Sequence, residues 1–325
     1  MRLLSEAVVE RLIDPAMAIK AAEAAYRMQS ARAAEPGRMM LRQDEPPAGL
    51  LALAAFAGDT LVVKTNVHAQ PAGGHRTGGS LVTLWDAARA VPLALIAARA
   101  FNGHRTAAGF AAAARLLAAP DAGVLVIFGA GRLAAPTLRY LIAVRPIHTV
   151  LLVGRDPRRS EALAAEAAKW PGFADVRVEA CRNAADAAAR ADIIATTTTS
   201  AEPVFPGAAV RPGTLVILGG ANRPNAREAD DALIRRARIT PDHRAGALAK
   251  SGDLAIPLAT GVIGADAIGP ELGVLLDAPP GPPPSGFVSV FKSIGVAPQD
   301  LTLACALLAR AEALGLGPVF DWEGA

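Results

Sequence analysis

The stretch GVLVIFGAGRLAAPTLRYLIA, residues 123–143, decides the fold. An apolar run, Val124 to Phe128, enters the Gly129-Ala130-Gly131-Arg132-Leu133-Ala134 turn and leaves as a helix. That order fits a dinucleotide-binding turn. Gly129 permits the tight bend, Gly131 lets backbone approach a pyrophosphate, and Ala134 keeps the helix near the strand. The helix amino terminus offers free N–H groups and a positive dipole end to a phosphate. Downstream, the runs HTVLLV (148–153), DVRVEA (175–180), ADIIATT (191–197) and TLVILG (214–219) recur with helical segments between them. Such alternation predicts a doubly wound parallel sheet of Rossmann type.

Upstream, the pattern differs. Ser5 before EAVVERLI, and Asp14-Pro15 before AMAIKAAEAAYRM, read as two capped helices. From about 36 to 103 come β-like runs, LLALAAF, TLVVKTNV, SLVTLW and PLALIAA, broken by PPAG (46–49) and PAGGHRTGG (71–79). The helix RTAAGFAAAARLLAA (105–119) then leads into the alternating region, and a last helix at 300–315 follows the proline-rich loop 278–286. We expect an α/β chain: a smaller α+β domain for substrate binding and dimerisation, 1–113 with 302–325, and a Rossmann NAD(P)-binding domain, 114–301.

Composition narrows the classes. The 325 residues are 52% hydrophobic and carry net charge +3, with 33 basic residues interleaved among 30 acidic ones. A nucleic-acid partner is not expected from so scattered a charge. The opening MRLLSEAVVERL lacks the apolar block of a signal peptide, and no uncharged apolar run reaches membrane-spanning length, so the expectation is a cytoplasmic protein without a membrane partner. Cys181 and Cys305 form no paired motif and read as small core residues. The five histidines show no ligand spacing, so no metal is expected.

Particular residues suggest the chemistry. At the end of HTVLLV, Arg155 could pair with a 2′-phosphate, whereas Asp156 is the carboxylate that would suit a ribose 2′-OH; NADP(H) is therefore preferred, with NAD(H) kept open. The threonine run, including Thr197 and Thr198, lies at a strand carboxyl end, where hydroxyls can meet a cofactor. Lys64 falls in the middle of an apolar strand and needs an anionic partner or a ligand. Arg105 heads the alanine-rich helix, where the dipole disfavours a cation and a bound anion would remove the conflict. Arg38 is a third candidate, with Arg42 competing for its role.

Taken together, VVKTN, HRTAAGFAAAARLLA, FGAGRLAA, LGGANRPNARE ending in Glu228, and VFKSIGVAPQDL with Lys292, Ser293 and Asp300 resemble the ornithine cyclodeaminase and mu-crystallin family over nearly the whole chain. The resemblance implies homodimers that transfer hydride at the carbon–nitrogen bond of a small amino or imino acid. It implies that Lys64 and Arg105, with Arg38 and Ile294, hold the substrate. It also implies that Thr77, Thr106, the 129–133 turn, Thr197, Thr198 and Ser293 surround the cofactor, to which the strand-tip reading adds Arg155. Where the family's cyclodeaminases carry an aspartate two residues before the proline of the glycine–proline–glutamate segment, this chain has Asn222, which cannot exchange a proton near neutral pH. Leu50 to Gly58 also lacks a carboxylate for a second amine. Both departures favour imine reduction, with proton supply from Lys64 or from a water held by Asn222. Ornithine cyclodeamination and a crystallin-like protein that binds NADPH without turnover are the alternatives.

Overall fold

In the computed structural model, which describes residues 1–32, 35–45, 47–70, 77–281 and 286–322 (backbone alone at 35 and 36), helix termini follow side-chain chemistry closely. Parts of the Pro/Gly turns and of the proline-rich loop, 46, 71–76 and 282–285, lie outside these residues. The chain divides into unit 1, Met1–Arg105 with Val296–Ala325, and unit 2, Thr106–Gly295. Both divisions fall earlier than the sequence-expected 113/114 and 301/302.

Unit 1 opens with β1 (Arg2–Leu4), α1 (Glu6–Leu12) and α2 (Pro15–Ser30). Strands β2 (Glu35–Gln43), β3 (Ala48–Ala57), β4 (Thr60–Ala69), β5 (Thr77–Asp86) and β6 (Val91–Ala97) follow. Helix α3 (Ala98–Leu117) carries the first division. Unit 2 continues with β7 (Val124–Phe128), α4 (Ala134–Ile142), β8 (Thr149–Val153), α5 (Pro157–Ala167) and β9 (Arg177–Ala180). Next come α6 (Ala184–Arg190), β10 (Ile193–Thr196), β11 (Leu215–Leu218), α7 (Asp231–Ile234) and β12 (Ala237–Pro241). The remaining elements are α8 (Arg244–Lys250), α9 (Gly252–Ala259), α10 (Leu272–Asp277) and β13 (Val288–Lys292) in unit 2, and α11 (Ala297–Ala313) in unit 1.

In unit 1, six strands pair in the order β1-β6-β5-β4-β3-β2, antiparallel except for β1 on β6. Period-two alternation gives the sheet two apolar faces. One buries Ala55, Val62, Val82, Leu84, Ala94 and Ile96, and α11 packs on β3, β4 and β5. The other leaves Met39, Leu41, Phe56, Val67 and Leu81 about half exposed; cross-strand register puts all five on one side.

The parallel sheet of unit 2 runs β12-β13-β11-β10-β7-β8-β9. Its central strands β10, β11 and β13 are buried along their whole length, as helices on both faces require. Sequence reading missed the short β1, β12 and β13. Strand order reverses at β7, which lies between β8 and β10, so the crevice beyond the carboxyl ends of β7 and β10 is the topological switch point.

Two expectations need correction. Arg105 does not head its helix: α3 starts at Ala98, because the Glu6 carboxylate accepts from Arg99 N (2.8 Å) and Ala100 N (2.9 Å) and caps it two turns earlier. The argument from the helix dipole therefore fails for Arg105. Nor are Cys181 and Cys305 core residues; both thiols are free and half-buried, and burial pushes the Cys305 thiol up. Among the described residues no helix is long and apolar enough to cross a membrane.

Gly219, just beyond β11, tests the packing between sheet and α3, because a Cβ there would meet the ring of buried Phe110. Gly219→Ala should cost about 1–3 kcal/mol, read as a lower urea midpoint; an unchanged midpoint would mean that the ring can give way.

Candidate functional site

Unit 2 carries the glycine turn. Gly129 follows β7 with φ +107°, a backbone region open to glycine, and a Cβ there would lie 2.9 Å from Thr197 Oγ1. The turn is pinned on both sides: Gly129 N donates to Val153 O (2.7 Å) and Thr197 N to Phe128 O (2.8 Å), while Thr197 Oγ1 donates to Gly129 O (3.1 Å). Gly131 and Arg132 are exposed, and no atom lies within 4 Å of where a Gly131 Cβ would be. Leu133, at the N-cap of α4, gives no side-chain hydrogen bond, so the first N–H groups of α4 have no capping side chain. Ala134 is fully buried, which brings helix and strand together. An open, uncapped helix terminus behind a positive-φ glycine fits a pyrophosphate.

At the tip of β8, Asp156 is the N-cap of α5, accepting from Arg158 N at 3.1 Å, whereas Arg155 is exposed. Thr198 gives both its N–H (2.9 Å) and its hydroxyl (2.6 Å) to Glu228. Glu228, fully buried, also accepts from Thr196 Oγ1 (2.7 Å), Gly220 N (2.8 Å) and Ala221 N (2.9 Å). Beside it, buried Lys292 donates to Asp253 (2.9 Å) and to Ala221 O (2.8 Å), and Asp253 accepts from Glu228 N at 2.7 Å. The Asn222 amide, with its nitrogen toward two carbonyls, donates to Ala221 O (3.1 Å) and Ser293 O (3.2 Å). Asp242, buried and raised by that burial, accepts from Ser293 Oγ (3.0 Å), Ile294 N (2.8 Å) and Gly295 N (2.8 Å). Ile294 is half-buried and packs against the core of unit 2.

The threonine, Asn222 and Ser293 loops are thus tied to one polar scaffold. Sequence reading named Glu228 and Lys292 only as motif letters and did not foresee Asp242 or Asp253 as their partners. Their signal is a carboxylate or ammonium in an apolar neighbourhood.

Unit 1 carries the cationic cluster. Lys64, at the centre of β4 and 1% exposed, does find its anionic partner: Nζ donates to Asp300 Oδ1 at 2.7 Å and lies 2.7 Å from Oδ2. Arg105 Nε is 3.3 Å from Asp300 Oδ1, and Arg105 Nη1 donates to Gln299 Oε1 at 3.2 Å. Gln299 Nε2 in turn donates to Tyr26 OH (3.1 Å) and Arg105 O (3.3 Å). Asp300 lies in the first turn of α11, where the helix dipole favours an anion. The Lys64 ammonium is pushed down to about 8, first by burial and then by the Arg105 charge, with Asp300 opposing.

Arg38 shares a cross-strand row with Lys64 through Leu53, on the same face of the sheet; Arg42 falls two rows along. One row from Lys64, Asn66 accepts from Ser80 Oγ (2.7 Å) and Asn102 Nδ2 (3.3 Å), a polar cluster that sequence reading missed. Thr77 is exposed at the start of β5, its hydroxyl donating to Ala69 O at 3.4 Å, and Thr106 is half-buried on α3. A cavity of 590 Å³ between α2 and α11, lined by Met17, Met28, Leu301 and Cys305 among others, is apolar and leaves out the Lys64–Asp300 pair.

A Rossmann unit with a bare glycine-turn helix, joined in one chain to an α+β unit holding a buried lysine, defines a two-unit α/β protein suited to a dinucleotide. The chain belongs to the ornithine cyclodeaminase/mu-crystallin family, whose model matches residues 1–314. It is 38% identical over 207 residues to a Delta(1)-pyrroline-2-carboxylate reductase of Paracoccus denitrificans, covering 62% of this chain and 63% of that protein. It is 34% identical over 223 residues to the ketimine reductase mu-crystallin of Mus musculus, covering 69% and 66%. Either alignment thus spans a little less than two thirds of the relative's length. Among solved structures, the Delta(1)-pyrroline-2-carboxylate reductase of Thermococcus litoralis, in complex with NADH and L-proline, superposes with TM-score 0.90 at 28% identity, covering 98% of this chain and 100% of that one.

Lys292→Met would leave Asp253 as a buried carboxylate without its counter-charge. The expected loss is about 3–5 kcal/mol, measured by urea unfolding; a midpoint within error of the parent protein would mean that the Lys292–Asp253 pair adds nothing to stability.

Proposed function

We propose that this protein is an NAD(P)H-dependent oxidoreductase that reduces the carbon–nitrogen double bond of a small imino acid, as a ketimine reductase does. One observation carries the reading: a deeply buried lysine, its ammonium pushed down to about 8, shares a carboxylate with an arginine, in a chain whose relatives include reductases of imino acids. Arg105, with Arg38 and Lys64, would hold the acid's carboxylate, Ile294 would line the substrate, and Lys64 or a water on Asn222 would supply the proton.

Gly129 to Leu133, Thr77, Thr106, Thr197, Thr198 and Ser293 would hold the dinucleotide, which when bound supplies the hydride. Thr197 gives its hydroxyl to the glycine turn and Thr198 gives its own to Glu228, so their part is to brace the loops around the cofactor. NADP(H) is preferred because Asp156 already caps α5 while Arg155 stays exposed for a 2′-phosphate. Asn222, an amide where a cyclodeaminase would need a proton-exchanging carboxylate, weighs against ornithine cyclodeamination. The half-exposed apolar sheet face of Met39, Leu41, Phe56, Val67 and Leu81 supports a homodimer, and the two free thiols agree with a reducing compartment such as the cytoplasm.

Small cyclic and acyclic ketimine acids should oxidise NADPH in the presence of the protein. Lys64→Ala and Arg105→Ala should each lower kcat/KM by roughly a hundredfold or more with the fold intact; near-parental kinetics in both, or proline release from ornithine with catalytic NAD, would overturn the reading. Arg155→Ala should weaken NADPH by roughly tenfold in fluorescence quenching and leave NADH unchanged. Val67→Glu with Leu81→Glu should halve the mass found by light scattering, whereas a monomeric parent protein would remove the dimer.

A further inference from the structure

A carboxylate-binding lysine should be open to its ligand, yet Lys64 already has both oxygens of Asp300 within 2.7 Å and is 1% exposed. The side chain of Arg105 is 15% exposed, and its Nε, 3.3 Å from the same carboxylate, makes no hydrogen bond. The two cations therefore differ: one is closed off by an anion, the other is partly open. Neighbours of Lys64 across the sheet, Leu53 and Val82, are apolar. Asp300 from α11 and Arg105 from α3 are the charged groups in direct play, with Arg38 on the same row.

We propose that Asp300 is a positioning residue that divides the work of these cations, holding the Lys64 ammonium as proton donor and leaving the substrate carboxylate to Arg105. The proposal rests on the imino-acid reading above. In the reductive direction the dinucleotide, when bound, would supply a hydride to the imine carbon, and the carbon–nitrogen π pair would move onto nitrogen. That nitrogen takes a proton as one Nζ–H bond of Lys64 breaks; Lys64 is left neutral and regains a proton from water. Turnover should accordingly fall as pH rises through about 8, where Lys64 loses its proton.

The chain has five lysines, so a protein labelled with 13C at lysine gives a spectrum simple enough to assign Lys64 by its loss in Lys64→Arg. Its ε-carbon should titrate near 8 in the parent protein, at clearly lower pH in Asp300→Asn, where the anion is gone, and near the parent value again in Asp300→Glu. Asp300→Asn should also lose roughly tenfold or more in kcat while KM for the imino acid stays level, since Arg105 keeps the substrate carboxylate. A Lys64 signal that titrates at the parent pH in Asp300→Asn, or a raised KM with kcat retained, overturns the proposal.

Should Asp300→Asn not fold, Arg105→Gln decides: the proposal requires a raised KM, kcat kept at saturation and a Lys64 midpoint moved upward, and a collapse of kcat at unchanged KM refutes it. If the parent protein reduces no α-imino acid, the functional reading fails, while the titrations still test the hold of Asp300 on Lys64.

Discussion

An ammonium taken out of water must find a counter-charge or lose its proton, and unit 1 is arranged around that demand at Lys64. The residue stands at the middle of a strand and is flanked across the sheet by Leu53 and Val82, so neither directly paired neighbour offers its charge a partner. The partner is Asp300, whose own charge is favoured by the first turn of α11. Gln299, one residue earlier, ties the same turn to Arg105 and Tyr26. The result is an ion pair in which neither member is saturated: burial draws Lys64 toward neutrality while Asp300 resists. A group poised in that way can exchange a proton at physiological pH, which an ordinary surface lysine cannot.

Unit 2 obeys the same constraint in another form. Its central strands are apolar apart from Ser289 and their carboxyl ends, where Thr196 and Lys292 stand in the same transverse row as Phe128 and Leu218. Glu228 and Asp242, from loops, collect the backbone N–H groups just beyond the ends of β11 and β13, and Asp253, in the first turn of α9, accepts from Glu228 N and pairs with Lys292. Loops that would otherwise be loose are held by carboxylates buried beneath them. The glycine turn differs, leading into a helix whose amino terminus carries no side-chain cap.

How far the sequence could reveal this depends on the range of the interactions. The Rossmann alternation, the glycine turn and the caps at Ser5 and Asp14 were legible because each is decided within a few residues. The start of α3 was not, since the carboxylate that caps it, Glu6, lies about ninety residues away in the chain. Lys64 announced its need of a partner, but nothing in local spacing points across 236 residues to Asp300. Arg38 and Arg42 could not be separated until strand register put one of them on the row of Lys64. Strands β12 and β13 escaped notice for a related reason: Lys292 and Ser289 interrupt an apolar run that is nonetheless wholly buried.

Unit 1 is assembled from both ends of the chain, and this bears on how the molecule comes into being. Residues 106–295 form a continuous stretch that can fold as soon as it leaves the ribosome. The amino-terminal sheet, made earlier, must wait for α11, and until then Lys64 has neither its anion nor its helical cover. The amino-terminal sheet is therefore among the last parts to mature, and its half-finished apolar faces pass through an interval in which nascent chains are exposed to aggregation and to chaperones.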